Sequence, residues 1–518
     1  MERVGVVILP EEMIVKLKKN ILPQWKACFF SALILGCITH MYKITNWLPN
    51  WDSLVFRYDS QNMLAIGRWF LPVASAPSSF YDLPWLTGLL AIVLHALGAV
   101  CICKMFGVKK KITAVLIGAV VVSFPTVTSV LLYNYVADAY ALSFLLACIA
   151  ALLLTREKKN YIAATICIAL SVGIYQAYIT VTIMLLLCYL IVKALYNDEN
   201  VKSLFLKALK FLLVGICGML LYYGVLLILL KVTGTALLEY QGANSAATLS
   251  GLDIWSSLYI IKESFVNYFF DFSNGIQVFG VMNVAVFLLT VVLYIIKAIR
   301  NKLSIGNLLV VCVCTILLPI GASVLSFINS SVDYHNIMKM GFVVFYLFLI
   351  LQYECDDFEN KKNNSVRAWS IFVITVCLVF YHIVVANISY HKLNMAYEKS
   401  YGTLIRIADR IEQTEGAKEC KHILIIGALT DSEAYSANIY PDMTGTTDGF
   451  ILRADDEMVG QSVLCSALND YCGTDYTFVS GEAKEQLLKK INVDDLGDWP
   501  EKNSILIIDH VIVIKLSD

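Results

Sequence analysis

Between residues 43 and 82 a very apolar chain gathers carboxylates, arginines and aromatic side chains. They run Asn50-Trp51-Asp52-Ser53, then Arg57-Tyr58-Asp59, then Gly67-Arg68-Trp69-Phe70. A carboxylate can take the proton of an attacking hydroxyl, and a guanidinium binds phosphate through a planar fork of two hydrogen bonds. Asp52 and Asp59 are therefore the candidate bases, and Arg68 and Arg57 the candidate phosphate clamps. If residues 52–68 form one helix, the two aspartates stand two turns apart, about 10 Å, on nearly one face. Leu54, Val55, Tyr58, Leu64 and Ile66 then rest on a membrane surface. Each polar residue also has a plainer use. Asp52 could cap a helix, and the arginines could pair with the aspartates or reach for headgroups.

Further candidates lie far away in sequence. Asn134 and Asp138 sit in Tyr133-Asn134-Tyr135-Val136-Ala137-Asp138-Ala139-Tyr140, at a turn between two apolar runs. An ionisable residue at such a boundary is costly enough to suggest substrate binding, although a helix cap explains it equally well. Tyr175 and Gln176 fall in Gly173-Ile174-Tyr175-Gln176-Ala177-Tyr178, a polar break that a membrane tolerates only where it is buried or lines a cavity. Gln176 would bond a neighbour or a substrate hydroxyl there. Lys339, close after Asp333-Tyr334-His335, is a further phosphate contact. The stretch 231–279 carries Glu239, Asp253, Lys262, Glu263 and Asp271, and no spacing singles any of them out. No Cys or His spacing suggests a metal cage. A divalent cation, Mg or Mn, could still share work on a phosphate.

These residues need a scaffold, and the composition says which kind. Of 518 residues 58% are hydrophobic and 16% charged, against about 25% charged in a soluble domain. Apolar runs of roughly twenty residues match a bilayer span. Spans are expected at 24–42, 83–105, 112–131, 137–154, 161–176, 178–196, 207–230, 280–299, 304–328, 339–353 and 368–387. With the N-terminus inside, the inner segments hold 22 lysines and arginines and the outer segments of the membrane domain six. That bias sets orientation, and it supports splitting 161–196 into two helices rather than one. The chain then has about eleven transmembrane helices, with a cytoplasmic N-terminal segment (1–23), a membrane domain (24–387) and an extracytoplasmic tail (388–518). The loops 43–82 and 231–279 face outward. The first apolar run lacks a small-residue cleavage site and reads as a retained anchor.

The tail holds 12 basic and 22 acidic residues, an excess that argues against nucleic acid and anionic lipid as partners. A helical stretch 391–413, a buried-strand signal 422–427, a turn-rich segment 441–449 and a strand-like run 504–516 suggest a small α/β domain. Most cysteines lie in spans and read as small core residues. Cys465 and Cys472 could pair, leaving Cys420 odd. No nucleotide-binding loop is present.

The chain resembles the bacterial glucosyl transferase II family, polytopic glycosyltransferases of the GT-C type. The resemblance rests on Asn50-Trp51-Asp52, Gly67-Arg68-Trp69, the aromatic-rich turn after Pro125, and Gly173-Ile174-Tyr175-Gln176-Ala177-Tyr178. It spans roughly residues 25–390. It implies transfer of a hexose, often glucose, from polyprenyl phosphate at the outer face of the bacterial cytoplasmic membrane. The acceptor it implies is a surface glycan such as O-antigen, wall polysaccharide or teichoic acid. By position, the resemblance gives Asp52 the role of the essential first-loop aspartate. A glycan polymerase and a flippase of lipid-linked sugars are the rival functions. The polymerase would favour larger, arginine-rich outer loops, and the flippase would favour internal repeats and charges near the membrane midplane.

Overall fold

Prolines and polar caps cut the apolar runs into helices. A computed structural model describes residues 11–12, 21–49, 51–55, 63–79, 81–156, 160–196, 199–238, 254–270, 277–327, 334–355, 362–429 and 457–517. The loop candidates Arg57, Tyr58 and Asp59, together with Asp333, Glu239, Asp253, Asp271 and the segment 441–449, lie outside the described residues.

The membrane part begins with α1 (Pro23–Thr45), then two short helices, α2 (Trp51–Val55) and α3 (Leu71–Ser75). Next come α4 (Pro84–Met105), α5 (Lys111–Ser123), α6 (Pro125–Leu132), α7 (Ala137–Thr155), α8 (Tyr161–Ile174) and α9 (Ile179–Tyr196). The chain continues through α10 (Val201–Thr233), α11 (Ile254–Phe270), α12 (Gln277–Arg300), α13 (Ile305–Ala322), α14 (Val343–Cys355) and α15 (Lys362–Gln413). Proline opens α1, α4 and α6, where its missing N–H costs nothing. Asn160, Asn200 and Ser304 accept backbone N–H bonds at the starts of α8, α10 and α13. Phe124 is extended because Pro125 follows it, so α5 and α6 part there within one span.

Ten helical segments among the described residues are long and apolar enough to cross a bilayer, and α8 is a shorter apolar helix. The chain is a multi-pass membrane protein. The span Lys111–Leu132 is 94% buried and forms its centre, whereas α10, α12 and α13 leave most of their surface outward.

The chain reverses between α8 and α9. Gly173, at the end of α8, accepts a bond from Phe70 N–H, whereas Leu195, at the end of α9, accepts one from Asn301 beyond α12. Residues Tyr175–Tyr178 make the turn, extended at Tyr175 and 3-10 from Gln176. By the same connectivity α10 returns to the face that holds the 63–83 segment, where Tyr222 meets Gly67.

Several expectations change. Residues 52–68 are not one helix: α2 ends at Val55, and Met63 and Arg68 form an isolated bridge around a 3-10 turn at Leu64–Ile66. The turn closes because Gly67 takes φ 81°, a left-handed conformation open to glycine. Accordingly Leu54 and Leu64 are buried in protein, 6% and 7% exposed, and neither lies on a membrane surface. Asp52 is in the first turn of α2 and is not its cap. The stretch 231–279 also contains a helix, α11, packed against α12 and α13.

The span expected at 368–387 and the helix expected at 391–413 are a single 52-residue helix, α15, about 78 Å long at 1.5 Å per residue. Its far half enters the core of the C-terminal α/β domain, which adds β1 (His422–Ile426), α16 (Glu457–Cys472), β2 (Thr477–Phe478), α17 (Gly481–Leu488), β3 (Ile505–Ile508) and β4 (Val511–Lys515). The sheet order is β2-β1-β4-β3, with β1 parallel to β2 and β4, and β3 antiparallel to β4. The run 504–516 is thus two strands. Asp509 and His510, both at positive φ, reverse the chain in a tight hairpin. Cys465 and Cys472 are free thiols. Both sit on α16 seven residues apart, about 10 Å along its axis, beyond the reach of a bridge. Burial pushes the Cys465 thiol up to about 11.

Candidate functional site

Four interruptions of helical structure meet on one face: the 63–79 segment, the turn 134–136, the turn 176–178 and the turn 336–342. Each leaves backbone groups that must find partners inside protein. The 63–79 segment and the 173–178 break find them in one another, and the turn 336–342 finds one in Thr126 of α6.

The Gly67-Arg68-Trp69 segment is pinned to the end of α8. Gln176 Nε2 donates to the Ile66 carbonyl at 2.9 Å and to Tyr222 Oη at 3.3 Å, and Tyr222 Oη donates to the Gly67 carbonyl at 3.0 Å. Phe70 N–H donates to the Gly173 carbonyl at 2.8 Å. Trp69 lies so close to Gly173 that a Cβ there would stand 2.8 Å from the indole. The amide hydrogens of Gln176 are thus spent, one on the loop and one on Tyr222 of α10.

This pinning aims Arg68. Its Nη1 donates to Tyr140 Oη at 2.9 Å, and its guanidinium carbon lies 4.6 Å from the Tyr175 ring centre. Tyr140 and Tyr175 stack at 4.6 Å with planes 7° apart. A guanidinium against an aromatic face is stabilised by the ring quadrupole and keeps hydrogen-bonding edges for other groups.

Asp52 is half-buried in α2, between Trp51 and the buried Ser53. The buried Tyr135 lies within electrostatic reach of both Asp52 and Arg68. One phenol in the turn 134–136 therefore relates the candidate base to the candidate clamp.

A further carboxylate, Asp82, was not singled out in the sequence. Its two oxygens accept from Trp47 Nε1 at 3.0 Å and from Asn134 Nδ2 at 2.7 Å. Lys43, fully buried, acts on Asp82 electrostatically while its Nζ donates to the Leu48 carbonyl at 2.8 Å. Asn134 is 0% exposed, and Asp82 fixes which way its amide points. The sequence signal was faint: a lone acid two residues before the proline that opens α4. Tyr140, Tyr135 and Tyr222 were equally hidden, because aromatics at helical spacing look like ordinary core.

Asp138 is 4% exposed in the first turn of α7, where it accepts from Ala139 N–H at 2.9 Å. Helix α7 packs against α3 of the 63–79 segment. Lys339 is half-buried on the turn 336–342, at φ −90° and ψ 19°, and this turn packs against 176–178 and α6. Thr126 Oγ1 donates to the Asn336 carbonyl at 2.8 Å and holds the turn in place. Asp52, Arg68, Asn134, Asp138, Tyr175, Gln176 and Lys339 thus share one face. Among the described residues no three His, Cys, Asp or Glu side chains gather to hold a metal ion.

Residues 41–352 match the family described as Glucosyl transferase GtrII. The chain belongs to the glucosyl transferase II family. The match covers more than half of it and contains every candidate above, while α15 and the C-terminal domain lie beyond. Neither a curated protein nor a solved structure matches the chain. Membership makes this glucosyl transferase II chain a membrane glycosyltransferase, and its interlocked turns lie within the matched region.

Proposed function

We propose that the chain transfers a hexose, glucose in the first instance, from a polyprenyl-phosphate-linked donor to a surface glycan. The reaction takes place at the outer face of the bacterial cytoplasmic membrane, with the N-terminus inside and the C-terminal domain outside. The observation that carries this reading is the match of residues 41–352 to a glucosyltransferase family, and Asp52 and Arg68, both within electrostatic reach of Tyr135, support it. Family membership also favours a transferase over the polymerase and the flippase.

In this mechanism the acceptor hydroxyl oxygen attacks the anomeric carbon while Asp52 takes its proton. The bond from that carbon to the phosphate oxygen breaks, and its electron pair leaves with the polyprenyl phosphate. One displacement inverts the anomeric centre. Arg68, steadied by Tyr140 and Tyr175, meets the charge growing on the leaving phosphate. Lys339 contributes from the neighbouring turn, and Asn134, Asp138, Tyr175 and Gln176 shape the sugar site. Arg57 and Asp59 keep their candidate roles as second clamp and alternative base. No step is routed through a divalent cation.

A general base contributes about 10²–10⁴-fold, so Asp52→Asn should cut transfer by that factor. The test is surface-glycan composition in a deletion strain complemented with wild type or Asp52→Asn at matched membrane levels. Wild type should restore a hexose branch that Asp52→Asn leaves missing. Restoration by both would remove Asp52 from the chemistry. A deletion that alters chain length or amount without losing a residue would replace the transferase by a polymerase or transporter.

A further inference from the structure

The segment that carries Asp52 belongs, in its packing, to the C-terminal domain. α2 is five residues long, too short to hold a helix unaided, and it lies against α16. Leu54 is buried in the same apolar cluster as Leu404, Ile407, Leu464 and Ile512. Just upstream, Trp47 stacks on Tyr471 of α16, ring centres 5.9 Å apart and planes 22° apart. Tyr471 in turn meets Tyr401 of α15 edge-on at 5.8 Å. The opposite commitment of Trp47 is to the membrane helices, through its N–H to Asp82 and thence to Asn134. One indole therefore bridges the two parts of the molecule, five residues before Asp52.

We propose that the C-terminal domain is a positioning element of the transfer site. Leu54 and Tyr471 dock it onto the Asp52 helix, and Trp47 ties that docking to Asp82 and Asn134. The proposal rests on the reading of Asp52 as the base. It assigns a task to a domain that lies outside the family-matched residues 41–352. A base must be held within hydrogen-bond reach of the proton it takes, and misplacing a catalytic group by an ångström is costly. With its cover removed, α2 loses the packing of Leu54 against α15 and α16. Trp47 and Tyr471 act through Asp52 and Asp82; neither is a catalytic residue.

The test pairs a structural with a functional readout on the full-length chain. Amide hydrogen exchange of residues 45–55 is measured on purified protein in detergent, and hexose incorporation in the complemented deletion strain. Losing one aromatic stack is worth about tenfold. Tyr471→Ala should therefore speed exchange in α2 about tenfold and lower incorporation by a similar factor, while Tyr471→Phe restores both. Trp47→Phe keeps a ring against Tyr471 but has no N–H for Asp82, so exchange in α2 should stay slow while incorporation falls. Unchanged exchange in α2 with Tyr471→Ala overturns the docking, and a loosened α2 with full incorporation overturns the positioning role. Loss of protection in α4 and α7 as well would make Tyr471 a general stability residue and overturn the assignment. If wild type itself adds no hexose, the transferase reading fails, whereas the exchange data still decide whether the domain holds α2.

Discussion

At the residue scale, the site separates groups that face outward from groups that hold them. Arg68 is held by a phenol and an aromatic face, an arrangement that suits a planar fork and not a point charge. Arg68→Lys keeps the charge but loses the stacking on Tyr175 and the planar fork. Transfer should fall about 10²-fold, as when one preorganised donor is removed from a developing charge. Hexose incorporation and the rate with purified enzyme both report it, while thermal stability stays near wild type. Asp82 should behave differently. Both of its oxygens accept N–H bonds, and Asn at that position offers one acceptor and turns an NH₂ toward a donor. Asp82→Asn should lower stability by about 2 kcal/mol, the usual worth of a charged hydrogen bond. A lowered unfolding midpoint in detergent is the check, and transfer per folded protein should fall as well, because the tie to Trp47 is weakened.

At the element scale, the turn 176–178 and the 63–79 segment work as one part, although about a hundred residues separate them. Gly173→Ala tests this directly, because its Cβ would stand 2.8 Å from the Trp69 ring and 3.2 Å from Phe70 Cβ. Overpacking of this kind costs about 1–3 kcal/mol, and the movement is transmitted to Arg68 next to Trp69. Transfer should drop more steeply than the unfolding midpoint, and Trp69→Leu in the same chain should recover part of the midpoint. The helices themselves were legible because a bilayer demands some twenty apolar residues whatever the tertiary context. The break in 161–196 was legible because the lysine and arginine count favours two helices there and Tyr175-Gln176 interrupts the apolar run. What meets across the breaks was not legible: hydropathy carries no information about whether Gly67 lies beside Tyr222 or Asp82 beside Trp47. The helix expected over 52–68 failed for a related reason. Its apolar residues are equally compatible with a membrane surface and with a protein core, and the structure buries Leu54 and Leu64 in two different cores.

At the scale of the whole molecule, α15 makes the C-terminal domain and the membrane helices one body. Its 52 residues run about 78 Å, far more than the roughly 30 Å of a hydrocarbon core. It begins near the face where Lys110 Nζ donates to the Tyr353 carbonyl, just before α15 in the chain, and ends among β1 and α16 on the face of Asp52 and Arg68. The lysine-rich connections 104–111 and 297–302 lie on the first face, and the polar turns of the site lie on the second. Because positive connections stay in the cytoplasm, the orientation of one fixes that of the other. Phosphatase fused after residue 518 should therefore be active, since the enzyme needs export to fold, while fusion after residue 159 should be inactive. The reverse pattern would put Asp52, Arg68 and the domain that covers them in the cytoplasm. A donor presented at the outer leaflet could not then reach them, and a surface glycan could not be the direct acceptor.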